Sequence, residues 1–462
     1  LVITADRPDK LRGTGAAQTI DQREFFGHHI VQSVHINVDT QSLPFLSQTV
    51  EMLVNRARST AGPVHLNLGF DEPLHVPAPP GQWHTPQATT EDSTGQLNIE
   101  LDEIAHSISL SNTGLIILGP NAVQSPAEEK AMHAFIERLG WVCFAHAASG
   151  LARQTSNGIM DSSIDHFLTP DGTLLGDPST VLYLGQAPTS RKLLSYLTQH
   201  PMVISVSRGR HAVHPWRHGN AYSGLSTQFI EGMISRLDKN KVHTTAAAVP
   251  MVKALVDHAM ASDRASTLWS GPVLDQLIKG TDCIRNILVG NSLPIRDMDL
   301  FTGQIPAHVH VYANRGVNGI DGHLATASGI AWAQPEAQTV LVCGDLTALH
   351  DIGALCLASR SRLKVVVIDN AGGGVFNQLE FAEESEVFRR FFTTQQTTPL
   401  AEICAAYGIH VHEIDTLAAL DLEPMFTEPG SSLCIVKVNA LDARQARVEI
   451  QRSIRRVLEH DT

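Results

Sequence analysis

Little in this chain suits a membrane, an oxidising compartment or a nucleic acid. No stretch approaches the roughly 18 consecutive apolar residues of a membrane span, and no signal-peptide pattern is visible. Its six cysteines, Cys143, Cys283, Cys343, Cys356, Cys404 and Cys434, are scattered without a C-x-x-C pair. That spacing offers neither a disulfide framework nor a zinc site, so buried thiols in a reducing cytoplasm are expected. Basic residues are outnumbered, 34 Lys and Arg against 47 Asp and Glu, leaving a formal net charge of −13. Such a field repels nucleic acid and anionic lipid surfaces. Anionic substrates would need a local basic cluster set against it. No fixed-period repeat occurs, and an initiator Met is lacking. Leu1 to Thr4 read as the tail of an apolar strand, which predicts sequence upstream of Leu1.

What is present is a chain of 462 residues with 43% hydrophobic content and mean hydropathy of −0.02. Those values predict a soluble globular protein of two to four domains. Residues 1–75 read as the second half of an α/β domain. Phe45, Leu46, Val50, Leu53, Val54 and Ala57 have helical spacing, and Val64 to Leu68 alternate as a strand after Gly62-Pro63. About 75 residues is short for such a domain, typically ~100–150 residues, so its first half is expected to precede Leu1. Residues 76–96 are rich in Pro, Thr and Gly and predict a linker.

A middle α/β domain is predicted over 97–245. Its strand candidates are Leu115–Leu118, Val142–Ala145, Val181–Leu184 and Val203–Val206, with a helix over Ala127–Leu139. A third domain, 246–462, offers Ile287–Val289, Val309–Tyr312, Val340–Cys343, Val365–Ile368, Val411–Ile414 and Leu433–Val438. Alternation of this kind predicts parallel sheets flanked by helices. A closing helix over 443–459 takes Asp442 as its N-cap. Its Arg444, Arg447, Arg452, Arg455 and Arg456, interleaved with Glu449 and Glu459, predict a solvated face.

The most informative stretch is Thr339 to Phe376. The apolar run Val340–Cys343 ends at Gly344-Asp345, which opens a segment with Leu349, Ile352, Leu355 and Cys356 on helical spacing. A second run, Val365–Ile368, ends at Asp369-Asn370, followed by Ala371 and three glycines. A carboxylate and a carboxamide, 25 residues apart, thus stand at the carboxyl ends of two strands, where open α/β sheets bind ligands. Glycines allow backbone amides to approach an anion. Hard oxygen ligands beside such amides suit a Mg²⁺ ion carrying a diphosphate. A second such end is Asn314-Arg315-Gly316-Val317-Asn318-Gly319-Ile320-Asp321-Gly322, after the Val309–Tyr312 strand. It precedes a helical pattern of Ile320, Leu324, Ala327 and Ala331.

The spacing from Gly344-Asp345 to Asn370 resembles the cofactor motif of thiamine-diphosphate enzymes. Further motifs narrow the likeness: Ile3-Thr4-Ala5-Asp6-Arg7-Pro8, Gly13-Thr14-Gly15-Ala16-Ala17-Gln18, Gly62-Pro63-Val64-His65-Leu66-Asn67, Gly290-Asn291-Ser292 and Arg296. In this order they resemble the 2-succinyl-5-enolpyruvyl-6-hydroxy-3-cyclohexene-1-carboxylate synthases of menaquinone biosynthesis. The likeness covers nearly the whole chain and is looser over about 100–280.

The resemblance implies an α/β, three-domain thiamine-diphosphate-binding fold with its first domain incomplete. It also implies a cytoplasmic transferase acting as a homodimer or homotetramer with active sites between subunits. The implied reaction is decarboxylation of 2-oxoglutarate, then 1,4-addition of the four-carbon carbanion to isochorismate. Asp345, Asn370 and the Gly372 carbonyl would hold Mg²⁺ (or Mn²⁺). Gly344, Leu346 and Gly373 would bind the cofactor, Val375 and Phe376 would line the thiazolium, and Ile320 would prop the bent cofactor. Arg7, Arg191, Lys192, Arg296 and Arg315, with Gln18 and Ser292, would bind the dicarboxylate substrates, for which Arg forks are suited. Arg191-Lys192 follow Thr189-Ser190 at a predicted helix start, which favours an anion. Ala17 departs from the family's Asn, and Asp369-Asn370-Ala371 replaces an asparagine run. The glutamate that activates the cofactor would lie before Leu1, so the chain as given would be inactive or nearly so. His211, His214 and His218 read as loop histidines rather than metal ligands. Alternative readings are another enzyme of the class, such as an acetolactate synthase, or a non-catalytic diphosphate-binding module.

Overall fold

The computed structural model of the chain describes residues 1–38, 43–72, 94–151, 159–160, 163–170, 172–208, 216, 219–237, 267–279, 283–378 and 386–460. Most of the predicted linker, and His211, His214 and His218, lie outside them. Two compact units are distinguished, Leu1–Gln96 and Leu97–Thr462.

In the first unit, β1 (Val2–Asp6), β2 (Gln32–Val38) and β3 (Val64–Phe70) form a parallel sheet in the order β1-β3-β2. The helix Leu43–Thr60 joins β2 to β3, and its Leu53 packs with Val64 and Leu66. Phe45, counted on that inner face by its spacing, is instead 65% exposed. Alternation along β3 sends His65 and Asn67 to the opposite face, where both are buried. Burial there requires partners. Thr4 Oγ1 lies 2.8 Å from His65 Nε2 and donates to Asn67 Oδ1 at 2.7 Å, while Asn67 Nδ2 donates to Asp6 at 2.8 Å.

The second unit holds two six-stranded parallel sheets. The first comprises β4 (Gly114–Leu118), β5 (Val142–Ala145) and β6 (Ile159–Met160). After a short antiparallel pair, β7 (Leu168–Thr169) and β8 (Gly172–Thr173), it is completed by β9 (Thr180–Leu184), β10 (Val203–Ser207) and β11 (Asn220–Ser223). Its order is β11-β10-β9-β4-β5-β6. The four predicted strands are all present. The polar β11 and the two-residue strands carry no apolar run and gave no sequence signal. The predicted helix spans Pro126–Leu139 with Ser125 as N-cap: its Oγ accepts from Glu128 N at 3.2 Å, and Glu128 Oε2 accepts from Gln124 N, one residue before the cap, at 2.8 Å.

The second sheet contains β12 (Ile284–Val289), β13 (His310–Tyr312), β14 (Gln338–Gly344), β15 (Lys364–Asp369), β16 (His410–Ile414) and β17 (Ser432–Lys437). Its order is β13-β12-β14-β15-β17-β16, and every pair is parallel. Both faces are covered, which is why its strands read as unbroken apolar runs. Val340, Val342, Val366 and Ile368 enter one core, while Leu341, Cys343, Val365 and Val367 enter the other. From β12 the chain turns outward to β13, then crosses to β14 on the other side of β12. The carboxyl ends of β12 and β14 therefore flank a topological switch point, the usual crevice for a ligand.

Three expectations are corrected. The closing helix spans Ala440–His460, and its start is held by Asn439, whose Oδ1 accepts from Leu441 N at 2.9 Å and Asp442 N at 3.1 Å. Asp442 thus lies inside the helix. Arg447 is not on a solvated face but buried, its Nε and Nη2 donating to Asp297 Oδ1 and Oδ2 at 2.8 and 2.6 Å. Its guanidinium also lies 5.1 Å from the Trp269 ring centroid, and Nη2 donates to Ser270 Oγ at 3.0 Å, so the closing helix is tied to the helices Ser270–Lys279 and Leu293–Phe301. Finally, Cys283 and Cys356 are exposed, whereas Cys143, Cys343, Cys404 and Cys434 are buried. Among the described residues, no helix is long and apolar enough to cross a membrane.

Candidate active site

Asp345 is the first residue of the helix Asp345–His350, immediately after β14, and is 5% exposed. The adjacent loop leaves β15 at Asp369. Its backbone turns back so that Gly372 N donates to Asp345 Oδ2 at 2.7 Å and Gly373 N to Asn370 Oδ1 at 2.8 Å. The turn has positive φ at Ala371 (58°), Gly372 (126°) and Gly373 (88°). At Gly372 no side chain fits, since a Cβ would stand 2.0 Å from the Thr394 carbonyl oxygen. The Gly372 carbonyl accepts from Thr394 N at 2.8 Å, and a carbonyl oxygen has a second lone pair.

Burial, and secondarily the nearby Asp369 charge, push the Asp345 carboxyl up to about 6, against the hydrogen bond from Leu346 N. Among the described residues no Lys, Arg or His pairs with it. A buried carboxylate, a second one close by and no protein cation fit a site for a divalent ion. No cluster of three His, Cys, Asp or Glu side chains occurs among the described residues. Mg²⁺ needs none, because one or two protein oxygens plus phosphate and water complete its shell.

Asp345 and Asn370 line one cavity of about 190 Å³, together with Ile320, Gly344, Leu346, Gly372, Gly373, Val375 and Phe376. Every residue predicted for the cofactor or the metal is thus brought to a single place. Ile320 sits in the turn before the helix His323–Ala333, not within it. Ser292, at the N-cap position of the helix Leu293–Phe301 that follows β12 and with φ of 74°, lines the same cavity.

A second cavity, of about 500 Å³, shares Leu293, Val375, Phe376 and Arg447 with the first and is lined by Arg191, Lys192 and Arg296. Arg191 and Lys192 open the helix Arg191–Gln199, whose N-cap Ser190 accepts from Leu193 N at 3.1 Å, as the spacing predicted. Arg315 lines neither cavity. Burial and then the charge of Arg296 weaken its hold on its proton, while Arg296 is weakened by burial and also feels Arg191. Three guanidiniums therefore act on one region of a chain whose net charge is −13. Arg315 Nη1 donates to Asn291 Oδ1 at 2.7 Å, and its Nε is buried with no partner. Such a donor is costly to leave unpaired without a ligand.

Arg7 and Gln18 belong to the first unit, where Arg7 Nη2 donates to Gln18 Oε1 at 3.0 Å. Gln18 has φ of 58°, and the preceding Ala17 is exposed.

The sequence motif Gly290-Asn291-Ser292 does not by itself give Asn291 a role. Its buried amide donates to the Asn314 and Gly319 carbonyls at 2.8 and 2.7 Å, so it fixes both the loop and the Arg315 fork. Its position at a strand end was the available signal. Asp165 and Arg447 were also missed. Nothing in the sequence marks Asp165, which reaches the second cavity from the preceding sheet's region of the chain.

Residues 301–435 match the thiamine pyrophosphate enzyme, C-terminal TPP binding domain family. The chain is 31% identical to the 2-succinyl-5-enolpyruvyl-6-hydroxy-3-cyclohexene-1-carboxylate synthase of Synechococcus elongatus, over 94% of this chain and 76% of that protein. It belongs to the 2-succinyl-5-enolpyruvyl-6-hydroxy-3-cyclohexene-1-carboxylate synthase family. The synthase of Chloroflexus aurantiacus is 32% identical over 89% of this chain and 73% of its own length. That of Lysinibacillus sphaericus is 28% identical over 91% and 75%. Membership of this synthase family makes the protein a thiamine-diphosphate-dependent transferase, with the β14–β15 loops inside the matched cofactor domain.

Proposed function

We propose that this protein decarboxylates 2-oxoglutarate and joins the remaining four-carbon unit to isochorismate by 1,4-addition, a step of menaquinone biosynthesis. The observation that carries this reading is the cation-lined cavity of Arg191, Lys192 and Arg296 contiguous with the one holding Asp345 and Asn370. Both substrates are dicarboxylates, and fixed guanidiniums suit them. Pyruvate would need fewer clamps, which disfavours an acetolactate synthase.

Thiamine diphosphate, when bound, supplies the electron sink for decarboxylation. Asp345, the Asn370 side chain and the Gly372 carbonyl would hold Mg²⁺ (or Mn²⁺), and Gly344, Leu346 and Gly373, which line the same cavity, would contact the cofactor. Ile320 supports the cofactor, and Val375 and Phe376 form an apolar wall that keeps water from the reacting carbon. Arg296 and Arg315 take substrate carboxylates with Ser292 as hydrogen-bonding partner, and Arg191 and Lys192 serve the acceptor. Arg7 and Gln18 are the substrate-binding residues proposed for the pyrimidine-binding domain, 1–75, which a linker separates from domains at 97–245 and 246–462. The assembly is a cytoplasmic homodimer or homotetramer.

Full-length enzyme with thiamine diphosphate and Mg²⁺ is expected to consume 2-oxoglutarate and isochorismate together and release CO₂ and the adduct, as followed by loss of isochorismate absorbance. Turnover of pyruvate alone would favour the acetolactate reading instead. No turnover of either, with cofactor bound, would favour a non-catalytic module.

A further inference from the structure

The second cavity carries one unexplained acceptor. Asp165 is 8% exposed and lines it, yet its Oδ1 is buried with no hydrogen-bond partner. Its Oδ2 is engaged, accepting from Ser190 Oγ at 2.5 Å. Two other carboxylates line the cavity, and both are spent. Asp297 is held by Arg447 through both oxygens. Asp299 accepts from Ala147 N at 2.9 Å through Oδ1 and from Ser163 Oγ at 3.1 Å through Oδ2. Among these three, only Asp165 has an oxygen left over.

An unpaired buried polar atom is costly and points to a partner supplied from elsewhere. Carboxylate groups of a ligand would go to Arg191, Lys192 and Arg296. A ligand whose charged groups are carboxylates has no cationic donor to offer Asp165, which leaves a neutral O–H as the donor it can bring. Given the proposed function, the acceptor substrate brings both, because it bears a ring hydroxyl as well as carboxylates. We infer that Asp165 is a specificity-determining residue that accepts a hydrogen bond from the ring hydroxyl of the acceptor substrate. Burial raises its carboxyl to about 6, against the lowering by the Ser190 hydrogen bond. Discrimination of this kind is strong, since a site built for a hydroxyl rejects the analogue lacking it.

The inference rests on the acceptor assignment above, and the test separates the two. In full-length enzyme, Asp165→Asn and Asp165→Ala are assayed with isochorismate, with an analogue lacking the ring hydroxyl, and for acceptor-independent CO₂ release from 2-oxoglutarate. The expected result is at least a tenfold rise in KM for isochorismate, no comparable change for the deoxy analogue, and CO₂ release within about twofold of wild type. Equal losses with both acceptors would overturn the inference and reduce Asp165 to a brace for the Ser190 cap. Ser190→Ala guards against that confusion: it removes the brace and is expected to leave the preference for the hydroxylated acceptor intact. A Ser190→Ala enzyme that loses the preference as fully as Asp165→Ala would equally count against it. Wild-type enzyme that ignores isochorismate while releasing CO₂ would refute the acceptor assignment itself, a separate result.

Discussion

Asp345→Ala is expected to abolish Mg²⁺-dependent binding of thiamine diphosphate, weakening it by at least ~100-fold, or about 3 kcal/mol. The carboxylate is buried beside Asp369, without a protein cation among the described residues. Ionising it in that place is unfavourable unless an ion is recruited. Alanine removes the charge that recruits the metal and also the acceptor that Gly372 N uses at 2.7 Å, so the loop loses its anchor. Asp345→Asn separates the two effects. It keeps an acceptor for Gly372 N but not the charge, and is expected to bind cofactor nearly as poorly. Calorimetric titration of full-length protein with and without a chelator measures both variants. Affinity within twofold of wild type for Asp345→Ala would remove Asp345 from the metal site.

Arg315→Ala is expected to lower kcat/KM for 2-oxoglutarate by ~10²–10³-fold, the ~3–4 kcal/mol typical of truncating one partner of a buried charged pair. Cofactor affinity should change by no more than about twofold, because the residue whose charge Arg315 feels is Arg296 of the second cavity, not Asp345. Lysine should restore little, since Asn291 holds Nη1 while the buried Nε is a further donor of the same planar guanidinium, and an ammonium cannot supply both. Initial-rate kinetics combined with cofactor titration tests this directly. Equal losses in substrate and cofactor would show a damaged loop rather than a lost carboxylate contact.

How far the site was legible depends on which force positions each residue. Asp345 and Asn370 could be found because each follows an apolar run that only a doubly covered parallel strand explains. The crossover then brings their ends together without further information. Arg191 and Lys192 were legible through Ser190, a cap whose chemistry is local. Arg447 was not, because its neighbours Arg444 and Glu449 are polar and helical spacing alone does not reveal Asp297 and Trp269 on the inner side. The same applies to Asp165: its meaning depends on Ser190 and Asp299, 25 and 134 residues away. The start of the closing helix was misplaced by a smaller margin. Asn439 and Asp442 are both good capping residues, and only coordinates show whose side chain meets the free amides.

The most direct measurement is a crystal structure of the full-length enzyme with thiamine diphosphate and Mg²⁺. One ion is expected at roughly 2.0–2.1 Å from an Asp345 carboxylate oxygen, Asn370 Oδ1 and the Gly372 carbonyl, with the diphosphate completing its shell. An ion bound to the diphosphate but out of reach of Asp345, or a cofactor seated away from the ends of β14 and β15, would contradict it.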